Sequence, residues 1–213
     1  MSRILITSGP TRQFLDPVRF LSNASSGQMG RALAEEALQR DHEVTVVTGP
    51  VEIAYPERAE TIHVVTTDEM LAACRERFSD CDGLIGAAAP CDYRPVKVAT
   101  GKIAKRGEPL RLHLVETADV VATLGAERND QWLVGFALET EDHRFRALTK
   151  LEKKSCDLIV LNEPSAMNSS DNSVEIIDRQ GEVAAQLTGS KEMVAREIFR
   201  VIHERLIIDG KQK

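Results

Sequence analysis

Hydrophobic positions along the chain alternate between short apolar runs and longer segments with a helical repeat. The short runs are rich in β-branched or small residues and end at glycine, proline or polar turns, which is typical of strands. The predicted strands are Ile4–Thr7, Glu43–Val47, Thr61–Val65, Gly83–Ala89, Leu110–Val115, Trp132–Ala137 and Asp157–Leu161. The run Gly83–Ala89 is apolar or small throughout, as expected of a parallel strand that is covered on both faces.

Helices are predicted between these strands from apolar stripes and capping residues. They are Gln28–Arg40, a helix that opens at Thr66, then Asp119–Arg128, His143–Lys154 and a last helix capped by Ser190. Near the C-terminus, Ser173–Asp178 and Glu182–Leu187 are predicted to form a β-hairpin. Alternating strands and helices predict one α/β domain over 1–213: a doubly wound, Rossmann-like, mostly parallel sheet with helices on both faces and a C-terminal hairpin.

Composition narrows the classes of function. The 213 residues are 42% hydrophobic and 28% charged, and the formal net charge is −6. This acidic balance argues against a general nucleic-acid binder, since binding a polyanion needs a basic excess. The N-terminus enters a strand directly, and no apolar run approaches the ~20 residues that span a bilayer, so we expect a cytoplasmic protein without a membrane partner. The four cysteines lack metal-ligand spacing and are expected to be reduced, structural thiols.

The loop after the first strand is the most informative stretch. It carries polar and small residues directly ahead of a helix, namely Arg19, Asn23, Ser25, Ser26 and Gly27. Amides at a helix N-terminus favour an anion, and glycine allows close approach. An asparagine amide is a typical donor to a developing oxyanion in acyl transfer. An ordinary turn with capping serines would have the same composition, so this loop alone leaves both interpretations open.

Three further segments offer polar groups for the same edge of the sheet. Small residues at the end of the fourth strand leave room for a flat ligand. Asp92, which follows them, could accept from a base or ribose, help hold a metal, or simply form a turn. The irregular basic stretch 102–106 carries Lys102, which on a mobile loop would neutralise charge over a triphosphate. Phe136 ends a later strand, and Lys150 and Lys154 share one helix face. Taken singly, the lysines fit solvated surface charge and Phe136 fits the core.

Together these stretches resemble one family, phosphopantothenoylcysteine synthetase, the ligase of coenzyme A biosynthesis. The match runs in order over almost the whole chain and covers Thr7–Arg12, Asp16–Arg19, Ser22–Gly30, Asp92–Pro95, Lys102–Lys105, Gly135–Thr140 and Asp157–Asn162. The combination is far more specific than any one piece.

The resemblance implies a two-step reaction. The carboxylate of 4′-phosphopantothenate attacks the α-phosphate of a nucleoside triphosphate, which is CTP in most bacterial members, with ATP as the alternative. Pyrophosphate leaves, the amine of cysteine attacks the acyl carbonyl, and the nucleoside monophosphate departs. Mg²⁺ neutralises the triphosphate, although the sequence identifies no metal ligands. Family members are typically homodimers that share part of a site between subunits.

The resemblance also implies roles for particular residues. Asn23 looks like the residue that holds the activated acyl group, with Arg19, Ser25, Ser26 and Gly27 on the same substrate-side loop. Lys102 resembles the flap lysine that completes the second half-reaction. The implied nucleotide contacts are Gly86, Ala87, Ala88, Asp92, Lys102, Phe136, Lys150, Lys154 and the backbone of Ala118, Asp119, Val120 and Val121.

Two departures from the family pattern bear on the nucleotide. Ala104 stands where the flap usually has a lysine, which removes a charge near the phosphates. Pro90-Cys91 replaces a small or apolar residue followed by alanine, a change at the nucleotide side that leaves ATP open beside CTP. No flavin decarboxylase precedes Met1, so we expect either a stand-alone synthetase or a piece of a longer chain, with no FMN on this chain.

Two other classes of function share part of the pattern. A short-chain NAD(P)-dependent reductase would need a helix carrying Tyr-x-x-x-Lys. Tyr93 and Lys97 have that spacing, but Arg94-Pro95 disfavours a helix there. The loss of a lysine at Ala104 leaves open a non-catalytic, nucleotide-binding partner of a separate flavin decarboxylase.

Overall fold

The computed structural model describes residues 1–105, 107–138, 143–162 and 172–208. Strands β1 to β12 are, in chain order, Arg3–Ser8, Arg12–Phe14, Phe20–Ser22, Glu43–Thr48, Glu60–His63, Gly83–Gly86, Tyr93–Pro95, Leu114–Glu116, Trp132–Leu138, Leu158–Asn162, Asn172–Asp178 and Val183–Gly189. Helices α1 to α5 are Gln28–Gln39, Thr67–Phe78, Val120–Glu127, His143–Lys153 and Lys191–Ile202. A π-helical turn, His203–Ile208, follows α5 directly.

Eight strands form the main sheet in the order β12-β11-β10-β9-β6-β1-β4-β5. Strands β5, β4, β1, β6, β9 and β10 are parallel, and β11 and β12 are added antiparallel at one edge. Counted along the parallel part, the strand order is the doubly wound 3-2-1-4-5-6 arrangement. The predicted Rossmann-like sheet with a C-terminal hairpin is therefore confirmed, and its topological switch point lies between β1 and β6.

The core lies on both faces of the sheet because neighbouring residues of each strand point to opposite sides. In β1, Ile4 and Ile6 pack with the cluster that contains α1 and α5. Leu5 packs on the other face, with α2, α3 and α4. Because helices cover both faces of the parallel strands, a ligand can reach the parallel sheet only at the strand ends, where the connecting loops lie.

Capping residues define the helix starts as the sequence predicts. The Thr66 hydroxyl accepts a bond from the Glu69 amide, and the Glu69 carboxylate accepts one from the Thr66 amide, which completes a capping box for α2. The Ser190 hydroxyl accepts a bond from the Met193 amide at the start of α5. These local signals explain why both helices begin where expected.

The largest differences in extent concern two predicted strands. The run Gly83–Ala89 forms a continuous strand only as far as Gly86. Beyond it, the Ala88 amide donates to the Thr7 hydroxyl, and Ala89 keeps one isolated parallel bridge to Pro10. Of the run Leu110–Val115, only its last two residues enter a strand, β8 (Leu114–Glu116), which pairs with the short strand β7 alone. The leucines of this run, Leu110, Leu112 and Leu114, are exposed and lie on the surface rather than in the core.

The four cysteines are free thiols, as predicted. Burial raises the pKa of Cys74 and of Cys156 to about 12, and that of Cys81 to about 11. Thiols with such pKa values are not nucleophilic at neutral pH, which fits a structural role. Among the described residues, no helix combines the length and the apolar character needed to cross a membrane.

Candidate active site

A cleft of about 810 Å³ opens at the carboxyl edge of the sheet, beside the switch point between β1 and β6. Ligands of doubly wound folds bind at this position. The loop and helix start at 23–30, the segment after β6 and the end of β9 form its walls together with lysines of α4 and α5. Most of the site residues predicted from the sequence lie in this lining: Asn23, Ser25, Ser26, Gly27, Ala87, Ala88, Asp92, Phe136, Lys150 and Lys154.

The first wall is the N-terminus of α1. Gly27 occupies its N-cap position with φ of +75°, a left-handed conformation that favours glycine, and no described side chain caps the first amides of the helix. These amides therefore face the cleft without a side-chain partner. Unpaired amides at a helix start attract an anion, which agrees with the predicted role of this loop.

A buried network of hydroxyls holds this turn in place. The Tyr55 hydroxyl donates to Ser8 Oγ at 2.8 Å, and Ser8 Oγ donates to the Gly27 carbonyl at 3.1 Å. A second hydroxyl, that of Thr48, lies 2.9 Å from the Tyr55 oxygen. The end of β1, the end of β4 and the start of α1 are thus joined at a single point under the cleft.

The second wall faces Asn23. Its Nδ2 donates to the Pro90 carbonyl at 2.8 Å and to Asp92 Oδ2 at 3.3 Å, so the two predicted loops meet through this side chain. The Cys91 amide donates to Thr11 Oγ1 at 2.8 Å, which fixes the loop from below. Of the Pro90-Cys91 pair that departs from the family pattern, only Pro90 lines the cleft, since the Cys91 side chain is buried.

The third wall carries positive charge. Lys150 and Lys154 line it from α4 and the residue after it, and Lys154 Nζ lies 3.1 Å from Asp119 Oδ2. Asp119 also caps α3 by accepting a bond from the Ala122 amide at 3.0 Å. Asp119 is therefore placed to hold Lys154 rather than to touch a ligand itself.

Several predicted site residues lie outside the lining. The Gly86 position lets α3 approach β6, because a Cβ there would lie 2.5 Å from Val121 Cγ2. Val120 and Val121 are buried in the core, while Ala118 is exposed and, like Asp119, does not line the cleft.

Arg19 and Lys102 are not brought to the cleft either. The Arg19 guanidinium binds the Asp16 carboxylate and the Ile103 carbonyl. Lys102 is exposed on an irregular segment next to Ile103. The neighbouring Arg106, and Glu139 and Thr140 of the resemblance, lie outside the described residues.

Sequence reasoning missed Lys191, the first residue of α5. Lys191 lines the cleft, and its Nζ donates to Oε1 of Gln28, the first residue of α1, at 3.0 Å. A lysine at a helix start opposes the helix dipole, and that unfavourable placement was the one signal available in the sequence. Among the described lining residues, three lysines face the single carboxylate of Asp92, so the cleft suits an anion.

A smaller cavity of about 620 Å³ lies at the opposite edge of the sheet, where β9 and β10 begin. Its two arginines, Arg128 and Arg179, both pair with Asp157, at 2.6 and 3.0 Å. None of the predicted site residues lines it. The candidate active site is therefore the larger cleft.

The chain is similar to proteins of known family. Residues 1–206 match the family described as DNA/pantothenate metabolism flavoprotein C-terminal domain. It is 42% identical over 206 residues to the coenzyme A biosynthesis bifunctional protein CoaBC of Vibrio vulnificus strain CMCP6, covering 93% of this chain and 51% of the relative. It is 39% identical over 210 residues to CoaBC of Escherichia coli K12, covering 95% of this chain and 52% of that protein. The chain thus spans about half the length of these relatives.

Solved structures agree with this match. The crystal structure of the C-terminal domain of CoaBC superposes with a TM-score of 0.84 at 37% identity, covering 98% of this chain and 97% of that chain. The Cab2 mutant H337A, solved in complex with phosphopantothenate-cysteine, has a TM-score of 0.80 at 17% identity, covering 99% and 89% of the two chains. The second likeness bears on the fold alone.

Proposed function

The chain belongs to the DNA/pantothenate metabolism flavoprotein C-terminal domain family, and from this we propose that it is a phosphopantothenate–cysteine ligase. An oxygen of the substrate carboxylate attacks the α-phosphorus of a nucleoside triphosphate, and pyrophosphate leaves. The cysteine amine then attacks the acyl carbonyl and loses a proton, and the nucleoside monophosphate leaves with the transferred oxygen. The relatives named for coenzyme A biosynthesis support this assignment.

One observation carries the proposal. The cleft joins an amide-donating loop, which ends at the open N-terminus of α1, to a wall with Lys150 and Lys154. An acyl transfer that passes through a mixed anhydride needs both halves: donors around the acyl group and cations around the phosphates. Short-chain reductase chemistry lacks support, since Tyr93 begins a strand, β7, rather than lying on a helix.

Asn23 serves the acyl side in this account. Its amide already points across the cleft toward the Pro90 carbonyl and Asp92. With substrate bound, the same amide donates to the acyl oxygen, where negative charge develops during both half-reactions. Ser25, Ser26 and the α1 amides bind the substrate's own phosphate.

The nucleotide occupies the opposite side. Ala87 and Ala88 leave space for the base, Phe136 packs beside it, and Lys150 and Lys154 neutralise phosphate charge. Asp119 orients Lys154 through their ion pair. We propose CTP as the nucleotide and keep ATP as the alternative, because Pro90-Cys91 departs from the family pattern directly after the Ala87–Ala89 segment.

Mg²⁺ bound to the triphosphate would neutralise part of its negative charge. Among the described residues there is no cluster of three or more His, Cys, Asp or Glu that would hold a metal by itself. Asp92 supplies one carboxylate in the cleft, which fits Mg²⁺ because this ion is commonly held by one or two carboxylates plus substrate phosphates. The donor set therefore suits an ion delivered by the nucleotide rather than a resident metal.

We propose that the protein is a homodimer. The small sheet of β7 and β8 and the segment between them leave many apolar side chains exposed: Tyr93, Val96, Val98, Leu110, Leu112, Leu114 and Val115. Exposed apolar clusters of this kind commonly bind another protein. A second copy of the chain would cover β7, β8 and the segment between them. Sedimentation at micromolar concentration should give twice the chain mass of 23.5 kDa, and a monomer would contradict the proposal.

Replacing Lys154 tests the nucleotide side. Lys154→Ala should raise the nucleotide KM about 10- to 100-fold, which corresponds to the ~1.5–3 kcal/mol of a hydrogen bond to a charged group. Lys153→Ala is the matched control, since Lys153 is the exposed neighbour and does not line the cleft. The measurement is steady-state kinetics of both variants. If the nucleotide KM of Lys154→Ala equalled that of Lys153→Ala, Lys154 would not bind the nucleotide.

Turnover tests the function itself. Purified protein with Mg²⁺, phosphopantothenate and cysteine should release a nucleoside monophosphate and pyrophosphate, faster from CTP than from ATP. Release of pyrophosphate should require phosphopantothenate. Release of the nucleoside monophosphate should also require cysteine. Absence of turnover with both nucleotides would contradict the ligase assignment. It would favour a non-catalytic, nucleotide-binding partner of a separate flavin decarboxylase.

A further inference from the structure

Asp16 is a buried carboxylate that binds two distant parts of the chain together. Its side chain is fully buried, between β2 and β3. Oδ1 accepts bonds from the Val18 and Arg19 amides, each at 2.9 Å. Oδ2 accepts from the Arg19 guanidinium, at 2.9 and 2.5 Å, and from the Ile103 amide at 3.0 Å. A buried carboxylate loses its hydration and needs hydrogen-bond donors from the protein in its place. The Asp16 carboxylate has them from Val18, Arg19 and Ile103.

Both polar backbone groups of Ile103 are held in this way. Its amide donates to Asp16, and its carbonyl accepts a bond of 2.6 Å from Arg19 Nη2. We refer to the Asp16 and Arg19 side chains with the Ile103 backbone as the clasp. Four residues earlier, the Ala99 amide donates to the Leu15 carbonyl at 2.9 Å. The segment 99–103 is thus tied at both ends to the loop that begins the acyl side of the cleft.

The clasp remains charged at neutral pH. The Arg19 hydrogen bonds, followed by the bond from the Ile103 amide, hold the pKa of Asp16 well below its ordinary value. Since the folded-state pKa is lowered, the stabilisation is fully present above the ordinary pKa of aspartate. It is lost only as the pH falls through the lowered value.

The residue next to the clasp is Lys102. It is exposed, whereas Ile103 is half-buried, so the side chain of Lys102 extends from a fixed point of the backbone into solvent. The clasp also fixes the segment that bears Lys102 relative to the loop that leads from Arg19 to Asn23. The buried carboxylate of Asp16 therefore helps to set the distance between Lys102 and Asn23, the two residues that have catalytic roles in the proposed ligase reaction.

We propose that Asp16 and Arg19 are positioning residues, which act on the ligase reaction by holding Ile103 and thereby placing Lys102. The inference rests on the proposed function, because it takes Lys102 to act in the second half-reaction. A displacement of about 1 Å at a catalytic group costs about 10²-fold in rate, so loosening the clasp should cost much of what Lys102 supplies. The competing interpretation is that Arg19 binds the substrate directly.

Hydrogen exchange tests the clasp without reference to activity. The Ile103 amide should exchange slowly in the wild-type protein and at least 10-fold faster in Asp16→Asn and in Arg19→Gln. Arg31→Gln is the matched control, because Arg31 pairs with Glu35 on the exposed face of α1 and should leave this amide unchanged. Equal protection of Ile103 in wild type and in both clasp variants would overturn the proposal.

A double-mutant cycle then tests whether the clasp works through Lys102. Arg19→Gln and Lys102→Gln should each slow product formation from the acyl-nucleotide about 10- to 100-fold. The double variant should be within about 2-fold of Lys102→Gln alone, and Kd for phosphopantothenate should stay within about 3-fold of wild type. Three results would each overturn the proposal. They are a double variant whose rate loss equals the product of the two single losses, a 10-fold rise in the Kd for phosphopantothenate in Arg19→Gln, and a wild-type rate in Lys102→Gln.

The two proposals fail separately. If the wild-type protein turned over no nucleotide, the ligase function would fall, and exchange at Ile103 would still report whether Asp16 and Arg19 hold that residue. If turnover occurred and Arg19→Gln kept its full rate, the ligase function would stand and the positioning role would be wrong.

Discussion

Asn23→Ala should lower the rate of acyl-nucleotide formation by about 10²–10³-fold, which is the usual cost of removing one donor to a developing oxyanion. Asn23 is the side chain through which the loop ahead of α1 meets the segment after β6, at the Pro90 carbonyl and Asp92. It is exposed, and its removal creates no buried cavity, so the fold should be retained. The measurement is single-turnover release of pyrophosphate, with the thermal midpoint recorded alongside.

Two companion variants sharpen this result. Asn129→Ala removes an exposed asparagine at the opposite edge of the sheet and should keep the wild-type rate. Asn23→Asp places a second carboxylate about where the amide nitrogen lies, 3.3 Å from Asp92 Oδ2, and should be at least as slow as alanine because like charges repel. A wild-type rate for Asn23→Ala would exclude the residue from the reaction.

Gly49→Ala should destabilise the protein by about 3 kcal/mol, at the upper end of the range for overpacking. An ideal Cβ at Gly49 would lie 1.5 Å from the Pro10 carbonyl oxygen and 2.7 Å from its carbon, both backbone atoms that no rotamer change removes. The displaced segment also holds the second wall of the cleft, since the Gly9 carbonyl accepts a bond from the Ala89 amide. Nucleotide affinity should therefore fall along with stability.

Thermal unfolding measures this effect. For a chain of this size, about 3 kcal/mol corresponds to a fall in Tm on the order of 10 °C. Gly101→Ala is the matched control, because nothing lies within 4 Å of its ideal Cβ, and its Tm should stay within about 2 °C of wild type. Equal Tm values for the two variants would mean that the end of β4 does not pack against the Pro10 segment as described.

Much of the fold was predictable because its signals are local. Apolar runs with small or β-branched residues identified the parallel strands, and hydroxyl caps at Thr66 and Ser190 located two helix starts. The short strands β2, β3 and β7 were not predictable in this way, and β8 was predicted only in part. Each has three residues and pairs outside the main sheet, so tertiary contacts rather than periodicity decide them.

The candidate site was predictable to a similar degree. The rule that ligands bind beyond the carboxyl ends of the strands placed Asn23, Asp92 and Phe136 at one edge of the sheet, and the cleft contains all three. Arg19 was different, because its partner Ile103 lies 84 residues away in the chain and no local pattern announces that contact. Lys191 reaches the cleft from α5 only because that helix packs beside α1.

The most direct test of the account follows the oxygen of the substrate carboxylate. Phosphopantothenate labelled with ¹⁸O in its carboxylate is incubated with the protein, Mg²⁺, cysteine and CTP, and the products are analysed by mass spectrometry. The ligase account predicts that each product molecule formed leaves one ¹⁸O in the nucleoside monophosphate and none in pyrophosphate. Unlabelled monophosphate, or label in the pyrophosphate, would contradict activation of the acid as an acyl-nucleotide.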